Sequence, residues 1–281
     1  MGRLLVGDCL DRLKAFPDKS VDLVLTSPPY EDARSYGIDF KLKGQDWVDW
    51  CLPRFIECYR VCRGLVAWVV EGKTRKFQWS ATPALLMADL HRAGIKLRKP
   101  PAFKRIGIAG SGGPDWLRND YEFIVCATHG KLPWSDNTAM GHAPKWAPGG
   151  DMSHRLSDGT RRNQWGHSGT GDQGQDLKLG IYTPPSKANP GNVINCIVGG
   201  GVMGSRLCHE NEAPFPEMLA EFFVRSFCPP GGRVLDPFCG SGTTLSVAER
   251  LGRKWIGVDV RESQIDLSLR RVHEIIDRVT A

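Results

Sequence analysis

The sequence predicts an α/β fold, a doubly wound and mostly parallel sheet with an irregular insertion. Short apolar runs end in acidic or turn-forming residues, as the buried strands of parallel sheets do. The last third of the chain alternates strand and helix patterns, which indicates βαβ units. Residues 129–208 contain 15 glycines and show little periodicity, over a length that is unusual for a loop. We therefore predict one domain formed by residues 1–128 and 209–281, into which residues 129–208 are inserted.

The individual elements follow from the hydrophobic pattern. In the first half, the predicted strands are 4–7, 21–25, 64–70, 95–103 and 121–127, and the predicted helices are 47–61 and 83–91. Pro83 suits the first turn of a helix and Gly94 suits its end. In the second half, the predicted helices are 216–227, 245–251 and a last one that ends near residue 279, and the predicted strands are 233–235 and 254–259.

Composition restricts the class of protein. The chain has 281 residues, of which 41% are hydrophobic and 24% are charged, values typical of a soluble globular protein. Its net charge of +6 permits a polyanionic partner without requiring one. We expect no membrane partner, and Asp8 follows the N-terminus too closely for a signal peptide, so we expect a cytoplasmic location. Nine scattered cysteines predict buried thiols and no metal site.

A cofactor site is predicted at the carboxyl ends of three strands, where open α/β sheets bind ligands. The strands end in Asp8, Asp236 and Asp259. The turn with Gly240 and Gly242 allows a ligand to approach the backbone, and the helix that begins at Thr243 and Thr244 offers free N–H groups. Asp259 follows Gly240 by 19 residues, the spacing of an acid that binds ribose hydroxyls. These residues indicate a ligand containing a nucleoside, either a nicotinamide cofactor or S-adenosylmethionine.

A second motif, Ser27-Pro28-Pro29-Tyr30, follows the strand at 21–25. Consecutive prolines fix φ and remove two N–H donors, so the backbone carbonyls stay available as acceptors. The serine hydroxyl adds an acceptor and the tyrosine adds a flat surface for stacking. Such a loop suits the exocyclic amino group of a base that is flipped out of the duplex. The simpler interpretation is a rigid Pro-Pro turn, which explains the serine and tyrosine less well.

These two motifs resemble those of the DNA amino-methyltransferases, in the β arrangement. Thr26 to Tyr30 resembles their catalytic motif, and Asp236 to Thr244 resembles their cofactor motif; the catalytic motif comes first, which defines the β group. The resemblance implies a fold of the S-adenosylmethionine-dependent methyltransferase type, with residues 1–128 and 209–281 as its catalytic domain. It assigns catalysis to Ser27, Pro28, Pro29 and Tyr30. It assigns the binding of S-adenosylmethionine to Asp8, Phe215, Asp236, Phe238, Gly240, Ser241, Gly242, Thr243, Thr244 and Asp259.

Residue roles follow from the same resemblance. Asp8 would contact the adenine of the cofactor, Asp259 its ribose, and Phe215 would lie in the segment that closes over the methionine part. Residues 121–125 would help to form the wall of the target-base pocket. Residues 129–208 occupy the place of the target-recognition region, although they carry no motif that we recognise.

The partner implied is double-stranded DNA. Residues 129–208 carry eight basic and five acidic residues with interspersed tryptophans, which favours contacts with phosphates and bases. The expected DNA contacts are Arg155, Arg161, Arg162, Trp165, Lys178 and Lys187. The alternative for this stretch is a solvated insertion. Many relatives form dimers, so a homodimer is a further expectation.

The serine that begins the tetrapeptide favours cytosine N4 as the methylated atom, because relatives with an aspartate there typically modify adenine N6. Adenine N6 stays an alternative, since serine and aspartate both accept a hydrogen bond from an amino group. Methylation at cytosine C5 is disfavoured because it needs a cysteine nucleophile, normally in a Pro-Cys dipeptide, which the sequence lacks. In protein-glutamine and RNA methyltransferases the order of the two motifs is normally reversed. A non-catalytic DNA-binding module is the alternative from another class.

Overall fold

The computed structural model describes residues 2–32, 39–107, 114–143, 187–198, 204–211 and 216–280. The strands are β1 (Arg3–Val6), β2 (Val21–Thr26), β3 (Cys62–Val70), β4 (Thr74–Arg75), β5 (Gln78–Trp79), β6 (Ala102–Ile106), β7 (Tyr121–Ala127), β8 (Val193–Ile197), β9 (Arg233–Asp236) and β10 (Lys254–Asp259). The helices are α1 (Cys9–Lys14), α2 (Gly44–Val61), α3 (Thr82–Arg92), α4 (Glu217–Phe227), α5 (Thr243–Arg250) and α6 (Glu262–Thr280), and a 3-10 helix covers Arg206–Glu210.

Eight strands form one sheet in the order β1-β10-β9-β2-β3-β7-β6-β8, and β4 pairs with β5 in a separate hairpin. The first five strands of this order, β1, β10, β9, β2 and β3, are parallel to one another, and β6 pairs with β8 in parallel. Strand β7 is antiparallel to both of its neighbours. The predicted α/β fold with a mostly parallel sheet is therefore confirmed. Chain order reverses between β2 and β9, and such a switch point is where doubly wound sheets bind ligands.

Helices cover both faces of the sheet, as a doubly wound fold requires. On one face α1, α2 and α3 bury a core that includes Trp47, Phe55 and Trp68. On the other face α4, α5 and α6 bury a core that includes Phe223 and Leu245. Every residue of the central strand β2 is buried, which explains why four of its six residues are apolar. Its buried polar residues have partners: Asp22 accepts from Arg63, and Thr26 donates to Asp236.

Several short elements differ from the sequence prediction, among them β4, β5 and the 3-10 helix, which were not predicted. The strand predicted at 95–103 begins only at Ala102, and Leu97 before it forms a single bridge to Ala127. Pro100 and Pro101 cannot donate to a strand ladder, which accounts for the late start. Helix α1 was not predicted, because six residues are too few to show periodicity. Its start is stabilised by Asp8, whose side chain accepts from the N–H of Leu10 at 2.8 Å.

Part of the predicted insertion belongs to the main sheet. Strand β8 lies within residues 129–208 and pairs with β6, with Ala102 opposite Val193 and Ile106 opposite Ile197. Its side chains alternate between exposed and buried, the period of an edge strand with one covered face. The five residues of β8 stand within a glycine-rich sequence, away from other apolar runs. The hydrophobic pattern alone therefore did not predict a strand there.

Among the described residues, no helix combines the length and the apolar character needed to cross a membrane. All nine cysteines are buried and unbridged. No group of three or more His, Cys, Asp or Glu side chains within the described ranges is placed to hold a metal ion.

Candidate active site

The tetrapeptide and the cofactor turn meet at the switch point through one hydrogen bond. Thr26, the last residue of β2, donates its hydroxyl to the carboxyl oxygen Oδ1 of Asp236, the last residue of β9, at 2.5 Å. The backbone N–H of Phe238 donates to the same oxygen at 3.1 Å. Burial raises the pKa of Asp236 to about 6. The two motifs, which lie about 210 residues apart in sequence, are thus joined at the carboxyl edge of the sheet.

Hydrogen bonds hold the tetrapeptide in place and leave some of its oxygen atoms available as acceptors. The hydroxyl of Ser27 donates to the backbone carbonyl of Val69 on β3 at 3.2 Å. Because the hydroxyl proton is used in this bond, the oxygen lone pairs of Ser27 are left to accept. The Pro29 carbonyl accepts from the indole N–H of Trp47 at 2.8 Å. Within the described part of the chain, the Pro28 carbonyl has no hydrogen-bond partner.

Tyr30 is oriented by a buried carboxylate. Its hydroxyl donates to Glu122 Oε2 at 2.6 Å, and Arg105 Nη1 lies 3.2 Å from Glu122 Oε1. Glu122 is only 8% exposed and stands on β7, within the segment expected to form the wall of the base pocket. These contacts hold the Tyr30 hydroxyl at β7. The sequence did not indicate Glu122 as a partner of Tyr30.

Glu71 is a second acid at this edge that the sequence analysis did not single out. It directly follows β3, whose register pairs Val70 with Phe123 and so brings Glu71 opposite Glu122. Its Oε1 accepts from Gly72 N at 2.9 Å and from Trp79 Nε1 at 3.1 Å. Burial raises the pKa of Glu71 to about 7. Glu71 could have been recognised in the sequence as an acid that ends an apolar run, as Asp8 does.

The cofactor turn adopts a conformation that requires glycine. Gly240 and Gly242 have φ values of +47° and +78°, in the left-handed region that favours glycine. A Cβ on Gly242 would also lie within 3.0 Å of the backbone of Ser268. Asp259 accepts from the N–H of Gly240 at 3.0 Å and from the N–H of Arg261 at 2.9 Å. Helix α5 begins at Thr243, so its free N–H groups face the same edge.

Two residues of α6 support this turn and were not predicted. Arg271 is fully buried, and its guanidinium donates to Ser241 Oγ at 3.2 Å, Thr243 Oγ1 at 2.8 Å and Glu217 Oε1 at 2.8 Å. Ser268 donates to the Gly240 carbonyl at 2.7 Å. A buried arginine on an amphipathic helix looks like a surface charge in the sequence, and only the fold brings it to the turn.

Asp8 has a structural role that adds to the predicted cofactor contact. Its Oδ2 lies 2.5 Å from Arg54 Nη2, and the side chain of Arg54 is only 9% exposed. The Arg54 guanidinium stacks on the ring of Trp50 at 3.9 Å, and Trp50 contacts Phe238 with ring centroids 5.7 Å apart. The structure therefore brings Asp8 and Phe238 to one continuous cluster.

Several predicted residues lie outside the described ranges. These are Phe215 of the cofactor set and Arg155, Arg161, Arg162, Trp165 and Lys178 of the DNA set. Lys187 is described, is exposed, and adjoins Ala188, which bridges to His142. The roles of these residues stay predictions.

A cavity of about 450 Å³ lies at the opposite end of the sheet. It is bordered by Arg3, Arg233 and Trp255, the first or second residues of β1, β9 and β10, and by α1. The cavity therefore lies at the amino ends of these strands, whereas open α/β sheets bind ligands beyond the carboxyl ends. It is separate from the site formed by Ser27 and Asp236.

Comparison with known proteins shows the family. A family model described as DNA methylase, which covers N6 and N4 methyltransferases, matches residues 21–270. The DNA adenine methyltransferase YhdJ of Escherichia coli K12 is 25% identical over 274 residues, covering 96% of this chain and 82% of that protein.

Two solved structures share the fold. The cytosine-N4-specific PvuII DNA methyltransferase matches with a TM-score of 0.67 at 21% identity, covering 98% of this chain and 90% of that one. A DNA modification methylase of Thermus thermophilus, complexed with S-adenosyl-L-methionine, matches with a TM-score of 0.60 at 22% identity, covering 98% of this chain and 96% of that one.

The family match spans most of the chain and includes both motifs that meet at the switch point. The fold is that of the S-adenosylmethionine-dependent DNA methyltransferases, and S-adenosylmethionine is the methyl donor. The chain belongs to the N6/N4 DNA methylase family.

Proposed function

We propose that this enzyme methylates the exocyclic N4 of a cytosine flipped out of double-stranded DNA, at a specific sequence. The observation that carries the proposal is the direction of the Ser27 hydrogen bond: the hydroxyl donates to Val69, so its oxygen can only accept from a substrate. An exocyclic amino group offers two N–H donors to such an acceptor. The Pro28 carbonyl is the second acceptor available in this loop.

The nitrogen of a base amino group attacks poorly, because its lone pair is delocalised into the ring. Two acceptors that hold its hydrogens pull the nitrogen toward tetrahedral geometry and direct the lone pair outward. Tyr30 stacks on the flipped base, and its hydrogen bond to Glu122 keeps its ring in place. The protein thus contributes position and the exclusion of water, and no covalent enzyme intermediate is needed.

The residues at the carboxyl edge fit S-adenosylmethionine. We assign Asp259, with its carboxylate at the end of β10, to the ribose hydroxyls, and Asp8 to the adenine, as the resemblance implies. The start of α5, at Thr243 and Thr244, offers backbone N–H groups to the carboxylate of the methionine part. When bound, the sulfonium supplies an electrophilic methyl group. The aspartate carboxylates and the N–H groups match the hydroxyl donors and carboxylate acceptor of this molecule.

Two observations support cytosine N4 as the target. The tetrapeptide begins with serine, and the PvuII enzyme, which shares this fold, is specific for cytosine N4. One observation favours the second candidate, adenine N6: the relative YhdJ is an adenine methyltransferase. We place sequence recognition in the insertion, residues 129–208, as the resemblance implies.

A transfer assay with labelled S-adenosylmethionine and unmethylated plasmid DNA tests the proposal. The wild-type chain should label DNA, and Ser27→Ala should lower turnover while its affinity for S-adenosylmethionine stays within about twofold, since Ser27 contacts the base rather than the cofactor. A chain that binds DNA tightly but transfers no label to any sequence would instead be a non-catalytic DNA-binding module. A Ser27→Ala variant with wild-type turnover would refute the role of the hydroxyl.

A further inference from the structure

The hairpin of β4 and β5 has an unusual turn. Its two central residues, Lys76 and Phe77, have φ values of +47° and +65°. Tight hairpins with positive φ at both positions strongly prefer Asn-Gly, because larger side chains are strained there. Phe77 is nevertheless 79% exposed, so packing within the described residues does not account for it. Strain that is retained at an exposed aromatic residue points to a function.

The hairpin is fixed to the segment that directly follows the catalytic tetrapeptide. The buried carboxylate of Glu31 accepts from the backbone N–H of Lys73 and from that of Gly44, both at 2.9 Å, and from the Ser80 hydroxyl. Asp32 pairs with Arg75 on β4. The turn therefore has a defined position relative to Tyr30, one residue before Glu31.

The base of the hairpin packs against the predicted wall of the base pocket. The ring of Trp79 stacks on Phe123 of β7 with centroids 5.9 Å apart, and its indole N–H donates to Glu71. Trp79 is 37% exposed, whereas Phe77 at the tip is 79% exposed. The exposed fraction thus rises from the base, beside Glu71 and Phe123, to the tip of the hairpin.

The surroundings of the turn are basic. Among the described residues, the hairpin and the nearby loop carry five cations, Lys41, Lys43, Lys73, Arg75 and Lys76, against the acids Glu31, Asp32, Asp39 and Glu71. Lys41 pairs with Asp39, and Lys43 and Arg75 pair with Asp32, whereas Lys76 at the tip has no acidic partner among the described residues. A positive surface that holds an exposed aromatic side chain suits a nucleic acid, since phosphates are attracted by the charge and bases stack on the ring.

We propose that this turn enters the DNA at the target base pair, where Phe77 stacks in the space that the flipped base leaves and Lys76 contacts a neighbouring phosphate. This inference rests on the proposed function, because it assumes that the base is flipped. Apolar side chains inserted between bases are a known way to deform a duplex, and filling the vacated space offsets part of the cost of unstacking.

Steady-state methylation of a short duplex tests the role of Phe77. The duplex carries the site found by mapping the methylated positions of a plasmid, and it is compared with the same duplex mismatched at the target. Phe77→Ala should lower kcat/KM on the paired duplex about tenfold or more, the scale of one lost stacking contact. The mismatch, which weakens the stacking and pairing of the target, should restore most of this loss. Phe77→Trp should keep near wild-type activity.

Met218→Ala is the matched control, because Met218 is also a large apolar residue, 48% exposed, but lies on α4. It should leave kcat/KM unchanged on both duplexes. The double variant Lys76→Asn/Phe77→Gly gives the turn its preferred residues, so it should raise Tm while lowering kcat/KM.

Three outcomes would overturn the proposal. The first is that Phe77→Ala and Met218→Ala have the same kcat/KM on the paired duplex, and the second is that Phe77→Ala loses the same factor in kcat/KM on the paired and mismatched duplexes. The third is that the double variant has the kcat/KM of the wild type. A wild-type chain that methylates no DNA would refute the proposed function instead, which separates the two failures.

Discussion

Substitution of Thr26 by valine tests the hydrogen bond that joins the two motifs. Valine has nearly the volume of threonine but replaces the hydroxyl by a methyl group. Asp236 is only 2% exposed, so it cannot recover the lost donor from solvent, and its remaining donors are the Phe238 N–H and the Thr244 hydroxyl. A hydrogen bond to a charged group contributes about 1.5–3 kcal/mol. We expect the free energy of unfolding of Thr26→Val to fall by about that amount where Asp236 is ionised.

The effect should depend on pH. Burial raises the pKa of Asp236 from 3.8 to about 6, and the Thr26 hydrogen bond opposes this rise. A carboxyl whose pKa is raised by folding costs stability as pH increases through the interval between the two pKa values. In the valine variant the pKa of Asp236 is raised further, because the opposing hydrogen bond is lost. The decrease in its free energy of unfolding relative to the wild type should therefore be small at about pH 5 and complete at about pH 8.

Urea unfolding at these two pH values measures the deficit. Thr26→Ser is the control, because it keeps the hydroxyl and loses only a buried methyl group, at a cost of about 1 kcal/mol that should not vary with pH. Equal stability of the valine and serine variants at the higher pH, or a valine deficit that is the same at both pH values, would refute this reasoning.

Further predictions concern the site and its supports. Arg271→Met should leave buried acceptors of the cofactor turn without a donor, lowering the free energy of unfolding by about 3 kcal/mol or more and weakening S-adenosylmethionine binding in calorimetry; unchanged affinity would contradict its role. Folding raises the pKa of Glu71 from 4.5 to about 7, so the wild type should lose more stability than Glu71→Gln as pH rises across that interval; parallel stability curves would exclude this cause. Asp259→Ala should raise the Kd for S-adenosylmethionine about tenfold or more by loss of the ribose contact, and an unchanged Kd would refute that contact.

The fold was predictable wherever a local pattern determines an element. Strand β7 has the bounds that the sequence predicted, and β10 ends at Asp259 as expected. Each strand contains a run of four buried residues, Ile124 to Ala127 in β7 and Trp255 to Val258 in β10, and these runs are free of charged residues, which made the strands readable in the sequence. The glycine turn was equally readable, because positive φ at Gly240 and Gly242 restricts the residue type.

The elements and contacts that were missed depend on distant partners. Strand β8 is an edge strand whose pairing with β6 spans about 90 residues, and nothing local distinguishes it within a glycine-rich stretch. Glu122 bonds to Tyr30, which is 92 positions away in the sequence, and Arg271 bonds to Ser241, which is 30 positions away. The strained turn at Phe77 is likewise visible only from backbone angles.

The central claim is transfer to a base amino group, and the product nucleoside tests it most directly. Unmethylated DNA is incubated with the wild-type chain and S-adenosylmethionine, digested to nucleosides, and analysed by mass spectrometry against standards. The account predicts N4-methylcytosine in the wild-type reaction and its loss with Ser27→Ala. N6-methyladenine would keep the amino-group mechanism and move the target to adenine, whereas 5-methylcytosine, or no methylated nucleoside, would contradict the account.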